Sequence, residues 1–176
     1  MRKEKGFTLV ELLVVIAIVA VLAGAVLIAI NPATMMMKAR DSRRLSDMDS
    51  LVKAVNLALT DGEITLQAMN APTTSAGPAA NTQKVDGTGW IQYTLPLNKT
   101  GLSRFLAALP LDPVNSGIYL YSFESTLTDF EIDCSLEFTD NIIKMTTDGG
   151  NNPGAYEAGT NLAIIGGAAV TPTPIE

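Results

Sequence analysis

Hydrophobic residues are concentrated near the start of the chain. Leu12 to Ile30 form nineteen consecutive apolar positions. A helix of that length rises roughly 28 Å, which is close to the ~30 Å thickness of the hydrocarbon core of a bilayer. The pattern therefore predicts a helix over residues 7–30 that can span a membrane.

A second helical pattern follows the first. Asn31-Pro32 predicts a kink or a helix restart, because Asn is a favoured N-cap and Pro suits the first helical position. Beyond it, apolar residues recur at steps of three and four, which predicts an amphipathic continuation over residues 31–62 that lies on a head domain. These residues are Leu45, Met48, Leu51, Val52, Val55 and Leu59. Asp61-Gly62 is predicted to end the helix.

The rest of the chain predicts a globular head over residues 63–169. Three segments favour strands: Trp90 to Leu95, Ile118 to Phe123 and Phe130 to Phe138. We also predict a short helix, a surface loop and a flexible tail, at residues 102–109, 70–89 and 170–176 respectively. The predicted fold class is α+β: a long N-terminal helix packed against a small antiparallel sheet.

The third predicted strand indicates which way its side chains face. Apolar and polar residues alternate along it, with Phe130, Ile132, Cys134, Leu136 and Phe138 on one face and Glu131, Asp133, Ser135 and Glu137 on the other. We expect the apolar face to cover the long helix and the acidic face to meet water. Cys134 is then a small buried hydrophobe and not a nucleophile.

Charge divides the chain into two parts. Residues 1–62 carry eight Lys/Arg and six Asp/Glu, a net +2, while residues 63–176 carry four and twelve, a net −8, which together give −6. An acidic head repels phosphate backbones, so no nucleic-acid partner is predicted, although Arg40, Arg43 and Arg44 form a small basic patch in the sequence.

The residue inventory argues against catalysis. The chain has no histidine and a single cysteine, which excludes histidine-dependent hydrolytic triads, histidine-bearing zinc sites and an intrachain disulfide. No phosphate-binding glycine motif is present. We therefore predict that the protein is not an enzyme.

The extreme N-terminus combines a basic segment with an isolated acid. Met1 to Gly6 carries three basic residues against Glu4, which places this segment in the cytoplasm and the head outside. Glu11 then interrupts the apolar sequence, where a carboxylate deep in lipid costs about 2.5–3.5 kcal/mol. A secretory signal peptide, with a cleavage site at Ala23-Gly24-Ala25, or a plain anchor has no need of this acid. Glu11 therefore favours assembly with a neutralising partner on an identical subunit.

The residues from Gly6 to Leu13, GFTLVELL, resemble the prepilin cleavage and methylation motif of type IV pilins and type II secretion pseudopilins. The resemblance implies that a membrane-embedded prepilin peptidase removes residues 1–6 by cutting after Gly6 and then N-methylates Phe7. It also implies that Glu11 is the assembly glutamate, and that the subunit leaves the cytoplasmic membrane for a periplasmic or cell-surface filament through an inner-membrane assembly platform. Its partners would be identical or homologous pilin subunits.

Cleavage would supply the charge that Glu11 lacks. The new amine at Phe7 is the natural partner for Glu11 of an adjacent subunit, and this pairing would set the axial register of a filament. The alternative interpretation is an uncleaved, single-pass membrane-anchored binding module with an acidic head, in which Glu11 merely reaches the membrane interface.

Three short stretches resemble, more loosely, the head of major type II secretion pseudopilins: Asp112-Pro113-x-Asn115, Tyr119-x-Tyr121 and Asp148-Gly149-Gly150. That resemblance implies a calcium ion that staples the C-terminal loop. The candidate ligands are Asp148, Asn151, Asn152, Glu157 and Asp112. The absence of a cysteine pair favours the pseudopilin branch without excluding pili.

Overall fold

A computed structural model describes residues 6–77 and 82–166, with the backbone alone described at residues 27–30. Residues 1–5 of the predicted leader, residues 78–81 of the predicted loop and the predicted tail over residues 170–176 lie outside the described residues. The chain separates into two compact units, Met1–Met37 and Lys38–Glu176.

Helix α1 spans Leu9–Ile30, with Thr8 as its N-cap. It stops at Asn31, whose backbone is left-handed (φ 43°) and therefore cannot continue the helix. Helix α2 begins at once with Pro32 in its first position. The helix restart predicted at Asn31-Pro32 is confirmed.

Helix α2 spans Pro32–Thr60 and ends where the sequence predicted. Gly62 has a positive φ of 62°, which glycine adopts without strain. Its N–H donates to the carbonyl of Leu59 (3.1 Å), and the N–H of Glu63 donates to that of Ala58 (2.8 Å). These two bonds form a Schellman motif, which satisfies carbonyls that the helix end would otherwise leave unpaired.

Four short strands form one antiparallel sheet in the order β1-β2-β3-β4. They are β1 (Thr73–Thr74), β2 (Tyr121–Ser125), β3 (Phe130–Cys134) and β4 (Tyr156–Gly159). A third helix, α3 (Thr139–Thr147), lies between β3 and β4 in the chain. The α+β class, with helices at the N-terminus and a small antiparallel sheet, is confirmed.

One hydrophobic core holds the head together. Met48, Leu51 and Val55 of α2 are buried in the same cluster as Phe123 of β2 and Ile132 of β3. Each fully buried aliphatic or aromatic side chain contributes about 1.5–3 kcal/mol relative to its exposed state. Cys134 is also in this cluster, and burial raises the pKa of its thiol well above the usual value, as expected for an unreactive cysteine.

Two predictions are wrong: the strand at residues 90–95 and the helix at residues 102–109. The backbone groups of these residues bond to several different segments. Residues 90–95 form only isolated bridges: Thr94 pairs with Thr65 and Gln92 with Thr88, so no continuous ladder develops. Residues 102–109 hold a single 3₁₀ turn at Gly101–Arg104. The N–H of Leu109 instead donates to the carbonyl of Gln83 (2.9 Å).

The predicted exposure of the acidic face of β3 is also wrong. Glu131 and Asp133 are both buried, and every residue of β3 is buried. The reason is a second layer that the pattern of β3 cannot reveal, since the backbone N–H groups of Ile164 and Ile165 donate to Glu131 at 2.6 and 2.7 Å. The C-terminal part of the chain therefore covers this face of the sheet.

Candidate functional site

The residues around Glu11 form a defined cap at the start of α1. The Oε2 atom of Glu11 accepts hydrogen bonds from the backbone N–H of Thr8 (2.8 Å) and from its hydroxyl (2.7 Å). The Thr8 hydroxyl in turn accepts from the N–H of Glu11 (3.3 Å). This reciprocal arrangement is a capping box, which pairs backbone donors that the helix cannot pair itself.

Sequence reasoning missed the role of Thr8. The signal was present, because Thr8-Leu9-Val10-Glu11 matches the pattern of a capping residue followed three positions later by an acid and then an apolar segment. Glu11 therefore caps the start of α1 in addition to carrying a charge. Its carboxylate is held at the N-terminal end of α1, where the helix dipole favours a negative charge.

Among the described residues, no packing contact requires glycine at position 6. Gly6 is exposed, and a Cβ atom added at this position would meet no atom within 4 Å. Its backbone does not require a positive φ. A residue that packing and backbone strain leave unconstrained is free to serve recognition by another molecule, and a missing side chain leaves the next peptide bond open to a protease.

The surface of α1 is apolar and unburied. Every described side chain from Phe7 to Val26 is exposed, with 82% of Phe7 and 79% of Leu9 accessible. The segment Leu9–Val26 is long and apolar enough to cross a membrane. An exposed apolar surface of this length fits a helix that lies in lipid or packs against other helices.

The nearest cation to Glu11 in the sequence is Lys5, which lies in the predicted leader. No lysine or arginine occurs between Lys5 and Lys38, so Glu11 is the single charged residue from Phe7 to Met37. Both hydrogen bonds that it accepts from Thr8 use Oε2. Among the described contacts of α1, its Oε1 atom receives none, which leaves one carboxylate oxygen for a partner.

The head is organised around a buried cation, Arg44. Its guanidinium donates to Asp112 from Nε (2.6 Å) and Nη2 (2.9 Å), and to Asp41 from Nη1 (2.9 Å). Nη1 also lies 2.6 Å from Glu137, which pairs with Arg40 as well. Burial alone would lower the pKa of Arg44, but Asp112 and Glu137 outweigh it and raise the pKa. The cluster ties α2 to the loop before β2 and to the segment after β3.

This cluster removes most of the basic patch that the sequence suggested. Arg44 is fully buried and Arg40 is bound to Glu137. Arg43 retains 62% of its side-chain exposure, with Asp47 at 3.7 Å. Arg40 and Arg44 therefore act as internal ion partners of the head, because carboxylates bind their guanidinium groups, while Arg43 stays largely exposed.

The structure does not bring the five predicted calcium ligands together. Both carboxylate oxygens of Asp112 bind Arg44, so Asp112 belongs to the Arg44 cluster. Asp148 accepts from the N–H of Glu157 (2.9 Å), while Asn151 and Asn152 donate their backbone N–H groups to Glu157 at 3.2 and 2.9 Å. Four of the five residues thus meet around Glu157, and Asp112 does not join them.

Two comparisons with known proteins relate the chain to the same kind of protein. The family model described as "Prokaryotic N-terminal methylation motif" matches residues 1–27. A "Fimbrial protein" of Pseudomonas aeruginosa is 30% identical over 110 residues, which cover 62% of this chain and 70% of the relative. No solved structure matches. A match of 110 residues is longer than the part of the chain that precedes the head, so the likeness includes the head. The chain belongs to the type IV pilin-like family of structural subunits.

Proposed function

We propose that the chain is the precursor of a subunit that polymerises through α1 into a type IV pilin-like filament. The observation that carries the proposal is the apolar surface of α1, exposed over its described side chains and interrupted by one carboxylate, Glu11. In the membrane, lipid covers this surface. In a filament, the same surfaces of neighbouring subunits cover one another.

Processing begins at the bond between Gly6 and Phe7. A prepilin peptidase hydrolyses this peptide bond with one water, which gives a carboxylate on Gly6 and a free amine on Phe7. The departing residues 1–6 carry a net +2. N-methylation transfers a methyl group from an activated methyl donor to the amine nitrogen, which releases one proton, and the resulting secondary amine can still be protonated. An ordinary α-amino group, with a pKa of about 7.7–8.0, is mostly cationic at neutral pH.

The new cation and Glu11 then form the pair that sets the register. Cleavage leaves the capping box intact, because the N–H and hydroxyl of Thr8 lie beyond the cut. With Oε2 held by Thr8, Oε1 is directed to the Phe7 amine of a neighbouring subunit. A charged hydrogen bond in apolar surroundings is stronger than one in water, so the pair favours one axial position over its neighbours.

Localisation follows from the same elements. Arg2, Lys3 and Lys5 keep the leader in the cytoplasm, and the head faces outward from the cytoplasmic membrane. An inner-membrane assembly platform then extracts the subunit into a filament. The single Cys134 favours a periplasmic pseudopilus, while the fimbrial relative favours a surface pilus. Labelling the head on intact cells distinguishes them, because only a surface pilus is accessible.

The uncleaved anchored module is the competing function. It leaves Gly6 without a purpose, since no packing contact among the described residues requires glycine there. It also leaves the charge of Glu11 without a neutralising partner. The assembly experiment compares wild type with Glu11→Gln, which keeps the size and the hydrogen-bond acceptor but removes the charge. We expect normal leader removal and at least a tenfold loss of incorporation into sheared filaments, on the order of 1.4 kcal/mol or more. Wild-type incorporation of the variant would reject the charge-pair mechanism.

A further inference from the structure

An open cleft of about 290 Å³ lies on the outer face of the sheet. Ser122 of β2 and Asp133 of β3 line it, and they are directly opposite each other in the register. Their neighbours in sequence, Phe123 and Ile132, are in the core. Because successive strand residues point to opposite faces, the side chains of Ser122 and Asp133 point away from the core and toward the cleft. We call it the sheet cleft.

Asp133 is the acidic residue of the sheet cleft. It is only 5% exposed, and its buried Oδ1 atom receives no hydrogen bond. Glu131 shares its face of β3, and Glu157 of β4 lies directly opposite it in the register. One carboxylate oxygen from each of the three residues lies within 4.8 Å of the others. Negative charge is therefore concentrated beside the cleft.

The described residues give Asp133 no counter-ion. None of their ion pairs includes any of these three carboxylates. Glu131 and Glu157 instead accept from backbone N–H groups, at residues 164–165 and 151–152 respectively. Burial, followed by repulsion from Glu131 and Glu157, raises the pKa of Asp133 to about 8. The sheet cleft therefore favours a positively charged occupant.

The other polar groups of the sheet cleft suit a ligand that donates hydrogen bonds. The hydroxyl of Ser135 donates to the carbonyl of Gly154 (3.1 Å), so its oxygen is left to accept. The hydroxyl of Ser122 lies on the same face as Asp133. Both are hydroxyl oxygens close to one carboxylate.

Apolar side chains form the walls of the sheet cleft. They belong to Ile118, Leu120 and Ile165. Ile118 is 37% exposed, so the wall that it forms is open to solvent. A ligand with an apolar stem would cover this surface and gain from its burial.

We propose that the sheet cleft binds a primary alkylammonium group, with Asp133 as its counter-ion. An ammonium group has three N–H donors and no acceptor, which matches one carboxylate and the hydroxyl oxygens of Ser122 and Ser135. Its alkyl stem lies along Ile118 and Leu120. A metal ion fits this cleft less well, because calcium takes six to eight oxygen ligands and apolar walls supply none.

Two sources can supply this group: a lysine of a neighbouring subunit, which rests on the proposed function, and a free aliphatic amine. The structure places exposed lysines on the far side of the head. Lys53 retains 68% of its side-chain exposure on α2, and α2 packs against the core face of the sheet. Lys53 therefore cannot enter the cleft of its own chain. A contact between opposite sides of two copies repeats without closing, as a filament requires.

The binding test titrates n-butylammonium chloride into the full chain in a non-ionic detergent, with calorimetry as the readout. At about pH 8.5 the carboxyl of Asp133 is ionised, while a lysine-like amine, with a pKa of about 10.4, stays protonated. We expect one site per chain. Tetramethylammonium has the charge without N–H donors, and n-butanol has the stem without the charge, so each should bind at least tenfold more weakly.

Equal binding of n-butylammonium and tetramethylammonium would overturn the proposal. A cleft that takes calcium but not n-butylammonium would also overturn it. Both comparisons use the wild-type chain, so they do not depend on whether any variant folds.

Variants locate the site. Asp133→Asn removes the charge at nearly constant volume, so we expect a melting temperature at least equal to wild type and at least a tenfold loss of n-butylammonium binding. Asp49→Asn, at an exposed carboxylate on α2, should bind like wild type. Ile118→Ala trims an exposed wall and should weaken n-butylammonium without changing methylammonium. Undiminished binding in Asp133→Asn would contradict the proposal.

Sheared filaments distinguish the two sources. A carbodiimide condenses a carboxylate with an amine held against it, so it should link Asp133 to a lysine of an adjacent subunit, as read by mass spectrometry. An amide that forms on Asp133 only after n-butylamine is added would identify a free amine as the source. No amide on Asp133 under either condition would contradict the ammonium site. A chain that binds n-butylammonium but forms no filament would reject the proposed function and not the site.

Discussion

Arg44 and Asp112 form a two-point ion pair in which neither side chain is exposed to solvent. They are 68 residues apart in sequence, so this pair joins α2 to the loop that precedes β2. The arginine fork matches the carboxylate geometry, and Asp41 and Glu137 both lie within hydrogen-bond distance of Nη1. The pair is therefore a buried ion pair that links two segments of the head, and not a surface salt bridge.

The first prediction concerns removal of this partner. Asp112→Ala leaves a buried guanidinium short of one carboxylate, and we expect a loss of about 3 kcal/mol in the free energy of unfolding. Urea denaturation of the full chain in detergent measures it. The matched control is Asp49→Asn, whose exposed pair with Lys53 contributes less than about 1 kcal/mol. Equal losses of unfolding free energy in Asp112→Ala and Asp49→Asn would contradict a stabilising role for the Arg44–Asp112 pair.

The second prediction concerns acid. Burial alone would raise the pKa of Glu137, but hydrogen bonds from Arg40 and Arg44 outweigh it and hold the pKa below its usual value. A lowered folded-state pKa stabilises the fold above the unfolded value of about 4.3, and that stability is lost as pH falls through the folded-state value. Arg40 and Arg44 pair with the carboxylate of Glu137, and Asp41 accepts from the backbone N–H of Glu137 (2.9 Å).

Glu137→Gln should therefore be less stable than wild type at neutral pH, and the difference should shrink as the pH falls below about 4.3. Melting temperatures measured along a pH series give the comparison. A difference that is constant with pH, or that grows in acid, would show that the charge of Glu137 does not contribute in this way.

The two N-terminal helices could be predicted well because their signals are local. The apolar length of α1, the restart at Asn31-Pro32 and the stop at Gly62 each depend on neighbouring residues. The sheet depends on distant ones. The alternation in β3 identified the two faces, but the segment that binds the buried Glu131 lies some thirty residues later in the sequence. Arg44 similarly looks like a surface residue until Asp112 is placed beside it.

The third prediction concerns Thr8. Thr8→Val keeps the shape of the side chain but removes the hydroxyl, so the capping box loses two of its three hydrogen bonds. We expect a loss of about 1 kcal/mol in cap stability. Faster amide hydrogen exchange over residues 9–12 in detergent would report it. Thr8→Ser should retain slow exchange, and a serine variant that frays like valine would contradict a role for the hydroxyl.

The fourth prediction separates processing from folding at Gly6. Gly6→Val should not change the melting temperature, because nothing lies within 4 Å of its added Cβ among the described residues. It should reduce cleavage by a co-expressed prepilin peptidase, because a branched side chain blocks the adjoining peptide bond. Gly24→Ala, equally free of contacts, is the control and should be cleaved normally. Normal processing of Gly6→Val would show that a side chain at position 6 does not block the peptidase.

Intact mass combined with N-terminal sequencing of the membrane-extracted protein tests the central claim most directly. Cells that contain a prepilin peptidase should yield a chain that begins at Phe7, lacks residues 1–6 and carries the extra mass of one methyl group. A chain that retains Met1, or one that begins near Ala25, would contradict the account, since the Phe7 amine that pairs with Glu11 would then not exist.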